Sequence, residues 1–184
     1  MMKKSDFKRI QTQLVAYLKP VFDDVTVEVG ENIHYKGVNI VVTSKQFTGL
    51  LAEQRFHHVV RAIPEDLYNN ELRKGIVWFE LAPSETGMDL MKMARAIDIR
   101  DKEAALESKL RDAGFFSALR THFEENSGAP SIMRFDATRQ TLSACGLSDS
   151  EVEEACLFLI SRGAYCDAHV LKDLAPQFLS ESAA

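Results

Sequence analysis

Five cationic or hydrogen-bonding side chains lie close together in the first half of the chain and could bind an anionic or acidic partner. In chain order they are Lys45, Arg55, His57, His58 and Arg61. The last four are predicted to lie on one helix, over residues 50–63, away from its apolar side. They could contact the carboxylates of a protein or the phosphates of a nucleic acid, although a solvated helix face is the commoner meaning of such a pattern. His57 and His58 do not face one metal ion, because neighbouring residues of a helix diverge by about 100 degrees.

A second set of reactive side chains lies near the end of the sequence. Its members are Cys145, Cys156, Cys166 and His169. The last two form a Cys-x-x-His pair, but the spacings of the three cysteines match no common zinc pattern. Cys156 shares a helical stripe with Val152 and Leu159, which predicts that it packs in a core as a small apolar residue. A zinc-stapled structural adaptor remains an alternative.

The sequence contains none of the short motifs that mark common enzyme sites. A phosphate-binding loop, a nucleophile elbow, an HExxH pair and a dinucleotide fingerprint are all missing from it. We therefore expect a non-enzymatic protein whose function is to bind.

Apolar periodicity predicts the elements that position the basic cluster. A helix whose apolar residues run from Phe7 to Leu18 ends at Pro20, and strands follow over residues 25–29 and 38–42. The helix over residues 50–63 and a short helical piece over residues 65–73 come next. The apolar run 76–81 is typical of an interior strand. On the helix 50–63, the apolar side is predicted to consist of Ala52, Phe56, Val59 and Ile63.

The second half of the chain is predicted to be helical. Residues 82–87 combine proline, serine and glycine, and we place the boundary between two domains, 1–83 and 84–184, there. Helices are predicted over residues 88–97, 100–113, 115–125, 136–145 and 149–161, with a capping box formed by Ser148 and Glu151. The last two helices look like a helix-turn-helix, but the second carries four carboxylates. It is therefore interpreted as a structural or protein-contacting helix, not as a DNA-reading one.

The amino-acid composition limits the class of protein and the class of binding partner that we expect. The chain has 184 residues, of which 46% are hydrophobic, and a net charge of −5. Residues 1–83 carry 11 basic and 10 acidic side chains, whereas residues 84–184 carry 11 and 17, which gives +1 and −6. This acidic half favours protein partners over nucleic acid. No apolar run is long enough for a membrane span, and three cysteines make a poor disulfide framework, so we expect a cytoplasmic protein.

Residues 5–83 resemble the BolA-like family. The matching residues are Arg9 and Ile10, Pro20 to Phe22, the acidic turn of Glu28 and Glu31, Ser44, Phe47 to Gly49, Arg55, and Gly75 with Ile76. The resemblance implies a KH-like α+β fold, in the order α-β-β-α-α-β around a three-stranded mixed sheet, followed here by an all-α domain. It also implies docking to a monothiol glutaredoxin and a [2Fe-2S] cluster shared with it.

Two departures from the family pattern weaken the cluster-binding role. The family's metal-binding histidine at the start of the last strand falls at Val77, which cannot bind a metal, and the helix motif Arg-His-Arg reads Arg55, Phe56, His57. His34, in the loop between the first two strands, is the one candidate metal ligand that the resemblance leaves. The sequence also contains no Gly-x-x-Gly loop, with which KH sites clamp a nucleic-acid backbone.

These observations predict a binding or regulatory protein that docks a protein partner through its first domain. The predicted surface is the basic cluster, with His34 nearby. The alternative is a nucleic-acid-binding regulator that uses the basic helix 50–63.

Overall fold

The computed structural model describes residues 4–32, 37–73, 75–95, 98–126 and 128–180. The chain divides into two compact units, residues 1–96 and 97–184. The first unit therefore includes a helix, Gly87–Arg95, that the boundary predicted near residue 83 assigns to the second domain. Within the described residues, no helix is both long enough and apolar enough to cross a membrane.

The first unit combines a small sheet with helices, and up to β3 its main elements follow the predicted order α-β-β-α-α-β, after which a further helix is added. Its main elements are α1 (Lys4–Leu18), β1 (Thr26–Asn32), β2 (Gly37–Thr43), α2 (Ala52–Arg61), α3 (Glu65–Leu67), β3 (Ile76–Leu81) and α4 (Gly87–Arg95). A short 3-10 helix, Lys45–Phe47, precedes α2, and a π-helical turn, Tyr68–Leu72, extends α3.

The sheet is mixed, as predicted. β1 and β2 are antiparallel, with Val29 opposite Ile40, and β2 and β3 are parallel, with Ile40 opposite Trp78. The strand order β1-β2-β3 makes β2 the central strand and β3 an edge strand. The prediction that β3 is an interior strand covered on both sides is wrong at Val77, which is 37% exposed. The sequence of β3 is apolar because two helices, α2 and α4, contact this edge strand.

The core of the first unit lies between the sheet and its helices. Ile10, Leu14 and Leu18 of α1 are fully buried at helical spacing, which confirms the predicted apolar face of this helix. The alternate residues Val38, Ile40 and Val42 of β2 are buried as well. Burial of each such side chain contributes about 1.5–3 kcal/mol to the stability of the fold. This layer therefore stabilises the sheet, which includes β3 and supports α2.

Helices make up the described part of the second unit. They are α5 (Glu103–Asp112), α6 (Phe115–Asn126), α7 (Asp136–Ala144), α8 (Asp149–Ser161), α9 (Asp167–His169) and α10 (Ala175–Ser180), with a 3-10 turn at Arg100–Lys102 and a π-helical turn at Val170–Leu174. The predicted capping box at the start of α8 is confirmed, since Ser148 N donates to Glu151 Oε2 over 2.8 Å. Gly163 follows α8 with a φ of 88°, a backbone conformation that suits glycine and ends the helix.

The three glutamates of α8 bind cations of the same unit. Glu151 pairs with Lys109, Glu153 accepts from Arg139 at 2.5 Å, and Glu154 accepts from Lys102 at 2.5 Å. The opposite side of α8 is buried against α5 and α7. This helix therefore helps to hold the second unit together, in line with its interpretation as a structural helix.

Two of the three cysteines lie in the interior of the second unit. Cys156 is fully buried, which confirms its predicted place in the core, and burial raises the pKa of its thiol to about 12. Cys166 is also buried and Cys145 is half-buried, and all three are free thiols. Among the residues that the structure describes, no group of three or more histidine, cysteine or acidic side chains is placed to hold a metal ion.

Candidate functional site

The structure separates the predicted basic cluster into buried and exposed members. Arg55 is 0% exposed and His58 is 8% exposed, whereas His57 is half-buried and Arg61 and Lys45 are exposed. His34, the candidate metal ligand, lies outside the described residues. The prediction that Arg55 and His58 belong to an exposed surface is therefore wrong.

The physical reason is a rotation of α2 about its axis relative to the predicted face. The buried residues of this helix are Gln54, Arg55, His58 and Val59, while Phe56, predicted to point into the core, is 38% exposed. Apolar periodicity places arginine outside and phenylalanine inside. Here the arginine finds enough hydrogen-bond acceptors in the interior to reverse that assignment.

Arg55 connects three segments of the first unit. Its Nε donates to Leu50 O over 3.0 Å, and its Nη1 donates to Glu80 O over 3.0 Å. Nη1 and Nη2 also donate to the carboxylate of Glu85, over 2.5 and 3.1 Å. This two-point pairing of a guanidinium with a carboxylate is the strongest form of ion pair. Because Arg55 is buried, solvent and salt screen the attraction only weakly. Arg55 thus fixes α2 to the end of β3 and to the turn that follows it.

The turn after β3 is shaped to present Glu85 to Arg55. Ser84 has a φ of 74°, which is unusual for a residue with a side chain, and Glu85 N donates to Ala82 O over 3.1 Å. The carboxylate of Glu85 in turn accepts from Ala82 N over 2.8 Å. The hydrogen bonds from Arg55 hold the pKa of Glu85 below its usual value.

A second carboxyl group lies near the same arginine but is not bound by it. Glu80 is 3% exposed on β3, and its Oε1 has no hydrogen-bond partner among the described residues. Burial raises the pKa of Glu80 to about 7, against the opposing attraction of Arg55. Glu80 therefore changes charge near neutral pH inside the first unit, a property that the sequence alone did not indicate.

The exposed side of α2 is both apolar and basic. Phe56 and Arg61 are exposed, and His57 and Val60 are partly exposed. Phe56 and Val60 are four residues apart, as are His57 and Arg61, so each pair is adjacent on the solvent side of the helix, and we call these four positions the α2 face. Aromatic residues and arginine are the types most enriched at the centre of protein interfaces. The sequence-based prediction included Arg61 and His57 of this face and missed Phe56.

Lys45 is held in place just before α2. The carboxylate of Asp24 accepts from Ser44 Oγ over 2.6 Å and from Lys45 N over 3.0 Å, which fixes the start of the short 3-10 helix. The hydrogen bond from Ser44 lowers the pKa of Asp24, so this carboxylate is ionised beside Lys45. Its charge offsets part of the attraction that Lys45 would have for phosphate.

Of the two positions at which the resemblance implies cluster ligands, Val77 carries no donor atom and His34 lies outside the described residues. Val77 is exposed on β3 at the position of the family's histidine, and its side chain carries no donor atom. His57 and His58 have ring centroids 5.6 Å apart, but His58 is buried in α2 and is not accessible to a partner. No step of the proposed function is therefore assigned to a cluster.

Comparisons of this chain with models of protein families, with curated proteins and with solved structures found no match. The resemblance to the BolA-like family therefore depends on the residues quoted from the sequence. The geometry of α2 and of its buried arginine remains the basis on which a function can be proposed.

Proposed function

We propose that this is a non-enzymatic binding or regulatory protein that docks a protein partner through the α2 face of its first unit. The observation that carries the proposal is the exposure of Phe56 and of Arg61 on the solvent side of a helix whose opposite side is fixed by the buried Arg55. A rigid helix that presents an aromatic anchor loses little conformational entropy on binding.

The composition of the α2 face indicates the chemistry of its partner. Phe56 and Val60 match an apolar depression, and the positive charge of Arg61 favours an acidic edge around it. The order of elements and the mixed sheet support a KH-like, BolA-like arrangement of the first unit. The partner that this resemblance implies is a monothiol glutaredoxin, which we take as the protein to test.

Binding to a monothiol glutaredoxin should depend on Phe56 and Arg61. We expect Phe56→Ser and Arg61→Glu each to weaken the complex at least about tenfold, because each removes a central contact of the face. The measurement is an anaerobic titration of the full chain into cluster-loaded glutaredoxin, followed by calorimetry, size exclusion and visible circular dichroism.

Tyr17→Ser provides a matched control for Phe56→Ser, because Tyr17 of α1 is an aromatic residue with the same 38% exposure. It should leave the affinity unchanged. An equal loss in both variants, or the absence of a joint peak with the parent protein, would rule out this partner at the α2 face. A changed cluster spectrum would show that the protein ligates the cluster, whereas a joint peak with an unchanged spectrum would mean docking alone.

The nucleic-acid alternative predicts a different dependence on salt. Arg55 is buried against Glu85, so Lys45 and Arg61 are the permanent cations that the predicted basic cluster still exposes. Two phosphate contacts would give a slope of roughly −2 or shallower in a plot of log affinity against log salt concentration. Fluorescence anisotropy with random DNA and RNA measures this slope. Tight binding with a much steeper slope, lost in Arg61→Glu, would favour the nucleic-acid function over the protein-docking one.

A further inference from the structure

Two glutamates of the first unit are in contact with the same arginine. The carboxylate of Glu85 accepts from Nη1 and Nη2 of Arg55 over 2.5 and 3.1 Å, and the backbone oxygen of Glu80 accepts from Nη1 over 3.0 Å. The side-chain Oε1 of Glu80 is buried and has no hydrogen-bond partner among the described residues. One guanidinium therefore lies between a carboxylate that it binds and a carboxyl group that it does not.

Arg55 retains a donor for the second carboxyl group. A guanidinium has five N–H groups, and in Arg55 one is bound by Leu50 O, one by Glu80 O and two by Glu85. The remaining N–H, on Nη2, has no acceptor within the part of the chain that the structure describes. The unmatched donor and the unmatched acceptor thus belong to two residues that are already joined by a hydrogen bond.

The two glutamates change charge over different pH ranges. Burial raises the pKa of Glu80 to about 7, whereas the hydrogen bonds from Arg55 hold the pKa of Glu85 below its usual value. Below neutral pH, Glu80 is therefore neutral and the charge of Arg55 is balanced by Glu85 alone. Above neutral pH, two carboxylates compete for one guanidinium.

Solvent access decides which carboxylate competes more strongly. The side chain of Glu85 is 26% exposed, so water can replace part of what Arg55 donates to it. Glu80 is 3% exposed, and an ionised carboxylate at this depth loses far more free energy when it has no partner. The ionised form of Glu80 is therefore the stronger competitor for Arg55.

The other charged groups on the elements that pack against β3 act less directly. The neighbouring strand β2 carries no charged side chain. α2 adds His58, on the same buried side as Arg55, and α4 adds Asp89 and Lys92, which are both exposed. Arg55 is the charged group that opposes the raised pKa of Glu80. His58 is the one buried neighbour whose titration an experiment has to separate from that of Glu80.

The contact between Arg55 and Glu85 stabilises the turn after β3. Within this turn Ser84 has a φ of 74°, a costly conformation for a residue with a side chain, and Glu85 accepts from Ala82 N over 2.8 Å. α4 begins two residues after Glu85, at Gly87, where an added Cβ atom would lie 2.9 Å from the ring of Phe79. The start of α4 is thus seated closely on β3, and a change in the turn is passed directly to it.

We propose that ionisation of Glu80 draws the guanidinium of Arg55 from Glu85 to Glu80 and thereby releases the turn after β3 and the start of α4. These three residues form a pH-sensitive switch, which is closed when Glu80 is protonated and open when it is ionised. The switch uses none of the four residues of the α2 face, so it holds or fails independently of the function proposed for that face.

The test is an NMR titration of the full chain from pH 5 to pH 9, with two readouts. The carboxyl carbon of Glu80 reports ionisation, and the backbone amide of Ala82 reports the hydrogen bond to Glu85. We expect both signals to change with one shared midpoint, and the protection of the Ala82 amide against hydrogen exchange to fall at least about tenfold above it. Glu80→Gln should keep this protection over the whole range.

Glu85→Gln tests the competition from the other side. It removes the negative charge that holds Arg55, so the carboxyl group of Glu80 should ionise at a pH lower by about one unit or more. Asp89→Asn is the matched control, because it removes a nearby carboxylate that accepts from Thr86 and not from Arg55. It should move the midpoint by less than about 0.3 unit, since an exposed charge is well screened.

His58→Gln removes the other buried titratable group of α2 and should leave both readouts with their shared midpoint. The proposal is overturned if Glu80 does not ionise between pH 5 and pH 9, or if it ionises while the Ala82 amide keeps its protection. It is also overturned if the transition at Ala82 persists in Glu80→Gln or is lost in His58→Gln, or if Glu85→Gln lowers the midpoint no more than Asp89→Asn does. Thermal unfolding of each variant establishes that it is folded.

Discussion

Replacement of Arg55 by alanine is expected to destabilise the first unit by about 3–5 kcal/mol, the usual cost of removing one partner from a buried ion pair. The variant would leave the carbonyl oxygens of Leu50 and Glu80 without their donor, and Glu85 without its cation. Each of these groups then loses a hydrogen bond that water cannot fully replace in the interior. An effect this large in a residue that sequence patterns assign to the surface would be diagnostic of the buried network.

Denaturant unfolding followed by tryptophan fluorescence measures this effect within the first unit. Trp78 is the single tryptophan of the chain and lies on β3, two residues before Glu80. Arg61→Ala, on the exposed side of the same helix, is the matched control and should change the free energy of unfolding by less than about 0.5 kcal/mol. Similar losses in the two variants would contradict the assignment of Arg55 as the residue that fixes α2.

Arg55→Lys separates the charge of the arginine from its geometry. Lysine keeps the positive charge but cannot donate to Leu50, Glu80 and Glu85 from one planar group. We expect this variant to lose at least about 2 kcal/mol, because two of the three acceptors would stay unsatisfied. Full recovery of stability in Arg55→Lys would mean that charge alone matters at this position.

The fold of the first unit follows from local patterns more closely than its candidate site does. Alternation and helical spacing place α1, β1 and β2 because their buried residues are apolar and adjacent in sequence. The orientation of α2 depends instead on acceptors 25 and 30 residues away, at Glu80 and Glu85. The apolar periodicity of the helix cannot contain that information. It therefore predicts Arg55 at the surface and Phe56 in the core, the reverse of what the structure shows.

In the second unit, too, the features that depend on neighbouring residues could be predicted, whereas those that depend on distant residues could not. The start of α8 could be predicted because Ser148 and Glu151 lie within one turn, and the burial of Cys156 because its apolar neighbours share its stripe. The hydrogen bond between Arg162 and Glu107 could not, since the two residues are 55 positions apart and meet through the packing of separate helices. Ion pairs of this kind are visible only once the helices are in place.

Glu80→Gln is expected to stabilise the first unit above neutral pH. The folded protein holds the proton of Glu80 up to a pKa of about 7, whereas the usual pKa of a glutamate is 4.5. Between these values the folded state binds more protons than the unfolded state, so the stability of the parent falls as pH rises through this window. The fall amounts to about 3 kcal/mol, given 1.36 kcal/mol for each unit of pKa.

Glutamine has the shape of the protonated acid and does not titrate, so the variant should lose this part of the pH dependence. We expect the two proteins to be equally stable near pH 4.5 and the variant to be more stable by up to about 3 kcal/mol at pH 8. The measurement is the free energy of unfolding, from Trp78 fluorescence, at intervals across that range.

The difference between parent and variant isolates Glu80 from the other titrating groups. Glu85 has a lowered pKa, so its contribution to stability is lost as pH falls, but this loss is common to both proteins and cancels. Glu28→Gln, at an exposed carboxylate of β1, is the matched control for the removal of one negative charge from the sheet. If the gain in Glu80→Gln were the same at pH 5 and pH 8, the carboxyl group would be ionised throughout, and Arg55 would have to compensate the carboxylates of both Glu80 and Glu85.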